Sequence, residues 1–163
     1  SFGTGQHATT YYCLKAVDRL AGKPGVKSML DAGCGSGILS IAAALRGYAP
    51  VDAFDNDPDA VRIAAENFEL NHIKTVTPVV GDAAVWQGRP EQYDLVCANI
   101  LGHLLIAFRE NIVSWVRPGG YLTLAGILST EFDRVAAAFT ELGFTEVDRE
   151  TLREWTSGLF RKA

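Results

Sequence analysis

Leu30-Asp31-Ala32-Gly33-Cys34-Gly35-Ser36-Gly37, running on into Ile38-Leu39-Ser40-Ile41, decides how the rest of the chain is read. A short apolar run over 26–30 leads into an acid, three glycines follow at every second position, and helical periodicity then takes over. That order spells a strand, a tight turn and a helix N-terminus. Glycines suit such a turn because side chains would hold a ligand away from the backbone N–H groups. A purely structural turn needs one glycine, so three point to a bound ligand.

Working outward, turn chemistry at Phe2-Gly3-Thr4-Gly5 precedes a helix predicted over 7–21, which Gly22 and Pro24 end. The first strand spans 28–32. A crossover helix over 37–46 should turn Ile38, Ile41, Ala42 and Leu45 inward. A second strand, 51–55, also ends in an acid. Asp57 and Pro58 then supply an N-cap and a first-turn proline for a helix reaching Asn71, with Val61, Ala64, Ala65 and Phe68 as its buried stripe. Strands follow over 75–80, 93–99 and 121–125, the last after Pro118-Gly119-Gly120. Between them, the spacing of Leu105, Phe108, Ile112 and Trp115 predicts one helix over 103–116. Ser129 or Thr130 should cap another, with Phe132, Val135, Phe139 and Leu142 inward and Gly143 closing it. Segments 144–151 and 154–161 are strand-like, and the link between them is too short for a crossover helix, so they pair antiparallel. The fold class is α/β: a doubly wound, Rossmann-like, mostly parallel seven-stranded sheet with a C-terminal antiparallel hairpin.

With 163 residues, 48% of them hydrophobic, the chain can fill the core of one domain spanning 1–163. No apolar run approaches the roughly 18 residues a membrane span needs, and no signal-peptide pattern opens the chain. Cys13, Cys34 and Cys97 lack metal-ligand spacing, and their odd number suits a reducing, cytoplasmic setting. A net charge of −4 argues against a nucleic-acid partner and leaves a protein substrate open. The expected state is a monomer off the membrane, with no metal. The chain starts Ser-Phe-Gly-Thr-Gly without an initiator methionine, which suggests a domain cut from a longer protein.

Ligands of open α/β sheets sit beyond the carboxyl ends of the strands. The candidates there are the turn 31–37, Asp55, Asp82 and Asn99, polar groups that are costly to bury without partners. Asp55 stands about 20 residues past the glycine turn, where an acid accepts ribose hydroxyls. That much fits either NAD or S-adenosylmethionine. A dinucleotide fingerprint, however, needs G-x-G-x-x-G, and Gly33-Cys34-Gly35-Ser36-Gly37 gives G-x-G-x-G. The terminal hairpin has no role in the dinucleotide fold either. With Asp31 before the turn, Asp55 after it and Pro118-Gly119-Gly120 further on, the chain resembles a class I S-adenosylmethionine-dependent methyltransferase.

The resemblance narrows at Phe2-Gly3-Thr4-Gly5-Gln6-His7-Ala8-Thr9-Thr10, which is similar to the F-G-T-G-x-H-x-T-T signature of the PrmA family. Segment 30–43, Ala98-Asn99-Ile100-Leu101 and Gly126-Ile127-Leu128 match that family in order. Its members methylate protein eleven of the large ribosomal subunit. The resemblance therefore implies transfer of methyl groups from S-adenosylmethionine to amines of a ribosomal protein, leaving S-adenosylhomocysteine. It implies a cofactor-binding set of Phe2, Gly3, Thr10, Asp31, Gly33, Gly35, Gly37, Asp55, Asn56, Asp82 and Asn99, with Asn99 also facing the transfer centre as the catalytic residue. Asp82 would hold the adenine amino group. The family's small N-terminal substrate-recognition domain has no counterpart in the sequence. Other readings of the same core are a small-molecule or other-protein lysine methyltransferase, an inert cofactor-binding module and, more distantly, a nicotinamide-dependent dehydrogenase. His72 and His103 read as surface or helix-end residues. Trp86, Trp115 and Trp155 read as packing, with the edge of an adenine pocket as a second reading for Trp86.

Overall fold

A computed structural model describes the backbone of residues 4–163 and the side chains from residue 9 onward. Strands β1 (Met29–Ala32), β2 (Val51–Asp55), β3 (Pro78–Val80), β4 (Tyr93–Ala98), β5 (Val116–Leu128), β6 (Phe144–Leu152) and β7 (Trp155–Lys162) form one sheet. Their order is β3-β2-β1-β4-β5-β7-β6. Strands β1 to β5 pair in parallel, and β7 lies antiparallel between β5 and β6. The predicted architecture is the observed one.

Side chains of a strand alternate between faces, so each central strand feeds two cores. Met29, Leu95 and Cys97 point one way, into a layer shared with α1 (Thr4–Leu20), α2 (Ile38–Leu45) and α3 (Pro58–Leu70). Leu30, Val96 and Ala98 point the other way, toward α4 (Gly102–Ala107), α5 (Arg109–Trp115) and α6 (Ser129–Thr140). Trp115, Phe132 and Phe139 are almost fully buried in that second layer, each worth about 1.5–3 kcal/mol of burial. The same alternation sends Asp31, two residues after Met29, into the first layer.

Several elements depart from their predicted form. Helix α1 begins at Thr4, so Thr4 and Gly5 are helical rather than part of a turn. In α2 the buried residues are Leu39, Ser40 and Ala43, whereas Ile38 and Leu45 are exposed. The sequence ILSIAAAL is apolar almost all round, so periodicity could not select a face; the hydrogen bond from Ser40 to Asp31 shows which side meets the sheet. In α3 only Ala64 and Phe68 of the expected stripe are buried, and Ala65 faces solvent. The single helix expected over 103–116 is two, broken at Phe108. Its period survives because Leu105 and Ile112 lie two turns apart and both stay buried. Strand β3 is shorter than expected, and β5 longer: pairing with β4 slips between Tyr93 and Leu95, and the Pro118-Gly119-Gly120 turn is absorbed as an irregularity inside the strand. Neither Ser129 nor Thr130 caps α6; the cap position is Leu128, and the Ser129 hydroxyl instead pairs with Thr156 at 2.7 Å. Asp57 does cap α3, accepting the Asp59 N–H at 2.9 Å with Pro58 in the first turn.

Candidate active site

At the carboxyl edge of the sheet a cavity of about 230 Å³ lies between the ends of β1, β2, β3 and β4. Gly33, Asp55, Asn56, Asp82 and Asn99 line it, so five residues chosen from sequence converge on one space.

Backbone pairing sets the floor. The N–H groups of Gly33 and Cys34 both donate to the Phe54 carbonyl at 2.9 Å, and the Asn99 N–H donates to the Ala32 carbonyl at 2.9 Å. Gly33 adopts φ +77°, and a β-carbon there would stand 2.5 Å from the Asn99 carbonyl oxygen. No side chain fits that gap. Gly35 has φ +53° and open space around its missing β-carbon, which leaves its side of the turn bare.

The three turn glycines therefore do different work. Gly37, at φ +85°, is the N-cap of α2, and a β-carbon on it would meet Phe68 Cε1 at 2.6 Å and Ala64 at 3.2 Å. It serves close packing of α2 on α3, and it does not line the cavity. Asn67 of α3 steadies the turn from the same side, donating from Nδ2 to the Ser36 carbonyl at 2.9 Å.

Asp55 closes the turn electrostatically. One carboxylate oxygen accepts the Gly35 N–H at 2.9 Å, the other the Asp57 N–H at 3.0 Å. Each oxygen keeps a lone pair for a ligand hydroxyl. Asp82 accepts the N–H of Ala84 at 2.9 Å in a local turn, and the residue lines the cavity. The loop carrying it is held from below: Asn111 donates to the Ala83 carbonyl at 2.8 Å, and Trp115 Nε1 to the Trp86 carbonyl at 3.0 Å. Trp86 stacks on Phe54 with ring centroids 4.5 Å apart and faces away from the cavity, so it is a packing residue.

Asn99 directly follows β4, and its side-chain amide has no hydrogen-bond partner among the described residues. Ile100, Leu101, Leu104 and Phe108 make an apolar wall beside it. Sequence reading placed none of the four at the site, counting Phe108 toward a helix stripe, and nothing in helical periodicity separates a cavity wall from a core face.

Asp31 lies outside the cavity lining, fully buried beneath α2. Its Oδ2 accepts the Ser40 hydroxyl at 2.7 Å, and its Oδ1 has no partner among the described residues. Burial pushes its carboxyl up to about 6, opposed by the Ser40 hydrogen bonds and reinforced by nearby Asp55. Burial also pushes the Cys34 thiol up, which keeps it a neutral filler of the turn. Thr10 sits in α1, half-buried. Phe2 and Gly3, predicted to contact the cofactor, lie outside the described residues. His72 and His103 are exposed, as expected.

A sheet of this order, with a glycine turn after β1 and an acid ending β2, defines a class I S-adenosylmethionine-dependent methyltransferase. The described residues fit that cofactor: glycine backbone at Gly33 in the cavity lining, a carboxylate for hydroxyls at Asp55, and an acid at Asp82 for a donor; Gly35 is bare but lies outside that lining. A family profile described as ribosomal protein L11 methyltransferase (PrmA) matches residues 1–163, and the chain belongs to that family. It is 40% identical over 166 residues to the ribosomal protein L11 methyltransferase of Citrifermentans bemidjiense, covering 99% of this chain and 53% of that protein. It is 36% identical over 162 residues to the enzyme of the same name from Bacillus subtilis, covering 99% and 51%. The chain thus spans about half the length of these relatives. Among solved structures, the ribosomal protein L11 methylase of Lactobacillus delbrueckii subsp. bulgaricus superposes with a TM-score of 0.86 at 26% identity, covering 98% of this chain and 81% of that one. The N-methyltransferase NodS of Bradyrhizobium japonicum, solved with S-adenosyl-L-homocysteine, shares the fold at TM-score 0.70 and 18% identity.

Proposed function

We propose that the chain carries the cofactor-binding and methyl-transfer part of a protein N-methyltransferase acting on amines of ribosomal protein L11. The observation that carries this reading is the position of Asn99: a side-chain amide without a partner among the described residues, between an apolar wall and the polar groups at the ends of β1 and β2. Bound S-adenosylmethionine supplies a methyl group on a sulfonium, whose departure needs no protonation. Asp55 holds the ribose hydroxyls, the glycine turn lies against the ligand, and Asp82 accepts from the adenine amine.

What remains for the protein is to present a neutral amine in line. A lysine with a reference pKa of about 10.4 needs roughly 4–5 kcal/mol to lose its proton at pH 7, and an α-amino group near 8 needs about 1. The Asn99 side-chain oxygen accepts an N–H of that amine and aims its lone pair. The apolar wall of Ile100, Leu101, Leu104 and Phe108 disfavours the charged ammonium. Orientation of this kind supplies roughly 7–11 kcal/mol of the barrier reduction.

Support for a protein acceptor comes from the family, and the net charge of −4 leaves such an acceptor open. A cytoplasmic setting belongs to the same proposal, supported by three cysteines that are buried and unpaired; so does a monomeric state, which gel filtration tests. The decisive experiment incubates the chain with methyl-labelled S-adenosylmethionine and purified ribosomal protein L11, and locates the label by mass spectrometry. Label on lysine or α-amino nitrogen is expected. Asn99→Ala should lose transfer by about 100-fold at saturating S-adenosylmethionine. Full transfer by that variant would end the role given to Asn99, and label on another protein of a ribosomal extract but none on L11 would end the substrate assignment.

A further inference from the structure

Strand β5 is disturbed again near its carboxyl end. Its pairing with β7 slips between Leu124 and Ile127, and inside the slip Gly126 adopts φ +71°. The Gly126 N–H is drawn sideways to the hydroxyl of buried Ser157 at 3.1 Å. The bulge is thus built, with its own side-chain acceptor. Bulges near the ends of sheet strands commonly re-aim a neighbouring group.

What occupies the space made here is Thr9 of α1. An ideal β-carbon on Gly126 would lie 2.0 Å from Thr9 Oγ1, 3.2 Å from its Cβ and 3.4 Å from its Cγ2. Thr9 is itself only 3% exposed. The threonine side chain sits where a side chain of β5 would have been. Register locates the seat. Ala98 of β4 pairs with Leu124 of β5, so Gly126 lies one strand over from Asn99 and just beyond it, at the same edge of the sheet.

We propose that the Gly126 bulge is the seat that positions α1 at the active site: Thr9 plugs into it, and the plug holds Thr10 beside the cofactor, one strand from Asn99. The role given to Thr10 rests on the function proposed above, whereas the seat does not. Gly126 and Thr9 are positioning residues in this scheme and touch neither substrate nor cofactor.

The test is a double-mutant cycle on the full chain, with S-adenosylhomocysteine affinity read by calorimetry and protection of the α1 amides read by hydrogen exchange. Gly126→Ala drives a β-carbon into Thr9. It is expected to weaken binding by about tenfold or more and to accelerate exchange over 9–20. In a Thr9→Ala background the obstructing hydroxyl and methyl are gone, and the same substitution should change affinity by less than about threefold. Gly143→Ala controls for backbone strain alone, because Gly143 has φ +97° and no neighbour within 4 Å of the missing β-carbon; it should leave affinity and α1 exchange unchanged. Equal Gly126→Ala penalties in the two backgrounds would overturn the seat, as would a Gly126→Ala chain with unaltered α1 exchange. A parent chain that binds no S-adenosylhomocysteine would overturn the cofactor reading and the Thr10 half of the proposal, leaving the exchange cycle to decide the seat.

Discussion

Asp31 gives the sharpest quantitative prediction, because its carboxyl is fully buried and the sign of its effect is opposite to that of most carboxylates. One oxygen has only the Ser40 hydroxyl at 2.7 Å and the other has no partner among the described residues, so burial pushes the group up to about 6 from an ordinary 3.8. A gap of about two units corresponds to about 3 kcal/mol at 1.36 kcal/mol per unit. The folded state binds the proton more tightly than the unfolded chain. This contribution to stability is therefore whole below about pH 4 and is lost as the pH rises to about 6. Against a total of about 5–15 kcal/mol for an ordinary domain, the loss is large. Asp31→Asn keeps the shape and an acceptor for Ser40 but cannot ionise. The assay is urea denaturation of the ligand-free chain between pH 4 and pH 7, taken as the difference between parent and variant, so that all other titrating groups cancel. The variant should gain on the parent by about 3 kcal/mol over that window. A difference that stays flat with pH would refute the reasoning, and one that shifts the other way would mean that an unrecognised donor already satisfies Oδ1.

Gly33→Ala should destabilise by about 2–5 kcal/mol, because left-handed strain adds to a β-carbon 2.5 Å from the Asn99 carbonyl oxygen. Gly35→Ala, with open space around it, should cost about 1–2 kcal/mol from strain alone; equal losses in denaturant titration would contradict the clash. Asp94 accepts the N–H groups of Lys27 at 2.7 Å and Ser28 at 2.9 Å and pairs with Arg117, and these partners hold its carboxyl below the ordinary range although burial works against them. Asp94→Ala should therefore cost about 2–4 kcal/mol at pH 7. The parent's advantage should shrink as the pH falls below the ordinary carboxylate range, because a depressed group loses its contribution on protonation. An advantage independent of pH would show that the loss is one of packing.

Much of the site was legible because its chemistry is local in sequence. The acid–glycine turn, the Asp57 cap with Pro58 behind it, and acids or amides ending successive strands are each written in a few adjacent residues. Strand alternation and crossover lengths then leave few topologies in which those strand ends could meet. Gly33, Asp55, Asn56, Asp82 and Asn99 converge on the cavity for that reason.

Contacts between distant segments were another matter. In sequence Gly33, Gly35 and Gly37 are equivalent, yet one faces the Asn99 backbone, one faces open space and one faces Phe68 of α3. Of the face expected for α2, Ile41 packs against the core while Ile38 and Leu45 are exposed, because an apolar helix carries no phase of its own. Ser40, the polar residue that faces inward, declares its direction only once Asp31 is in place. The apolar wall beside Asn99 and the fit of Thr9 into the β5 bulge likewise join residues from separate elements. Sequence by itself determined which strand ends bring polar groups to the cavity, since backbone geometry and hydrophobic period act over a few residues. Only the tertiary structure decided which glycine meets a neighbour and which stays open to a ligand, because that depends on the close packing of chains far apart in sequence.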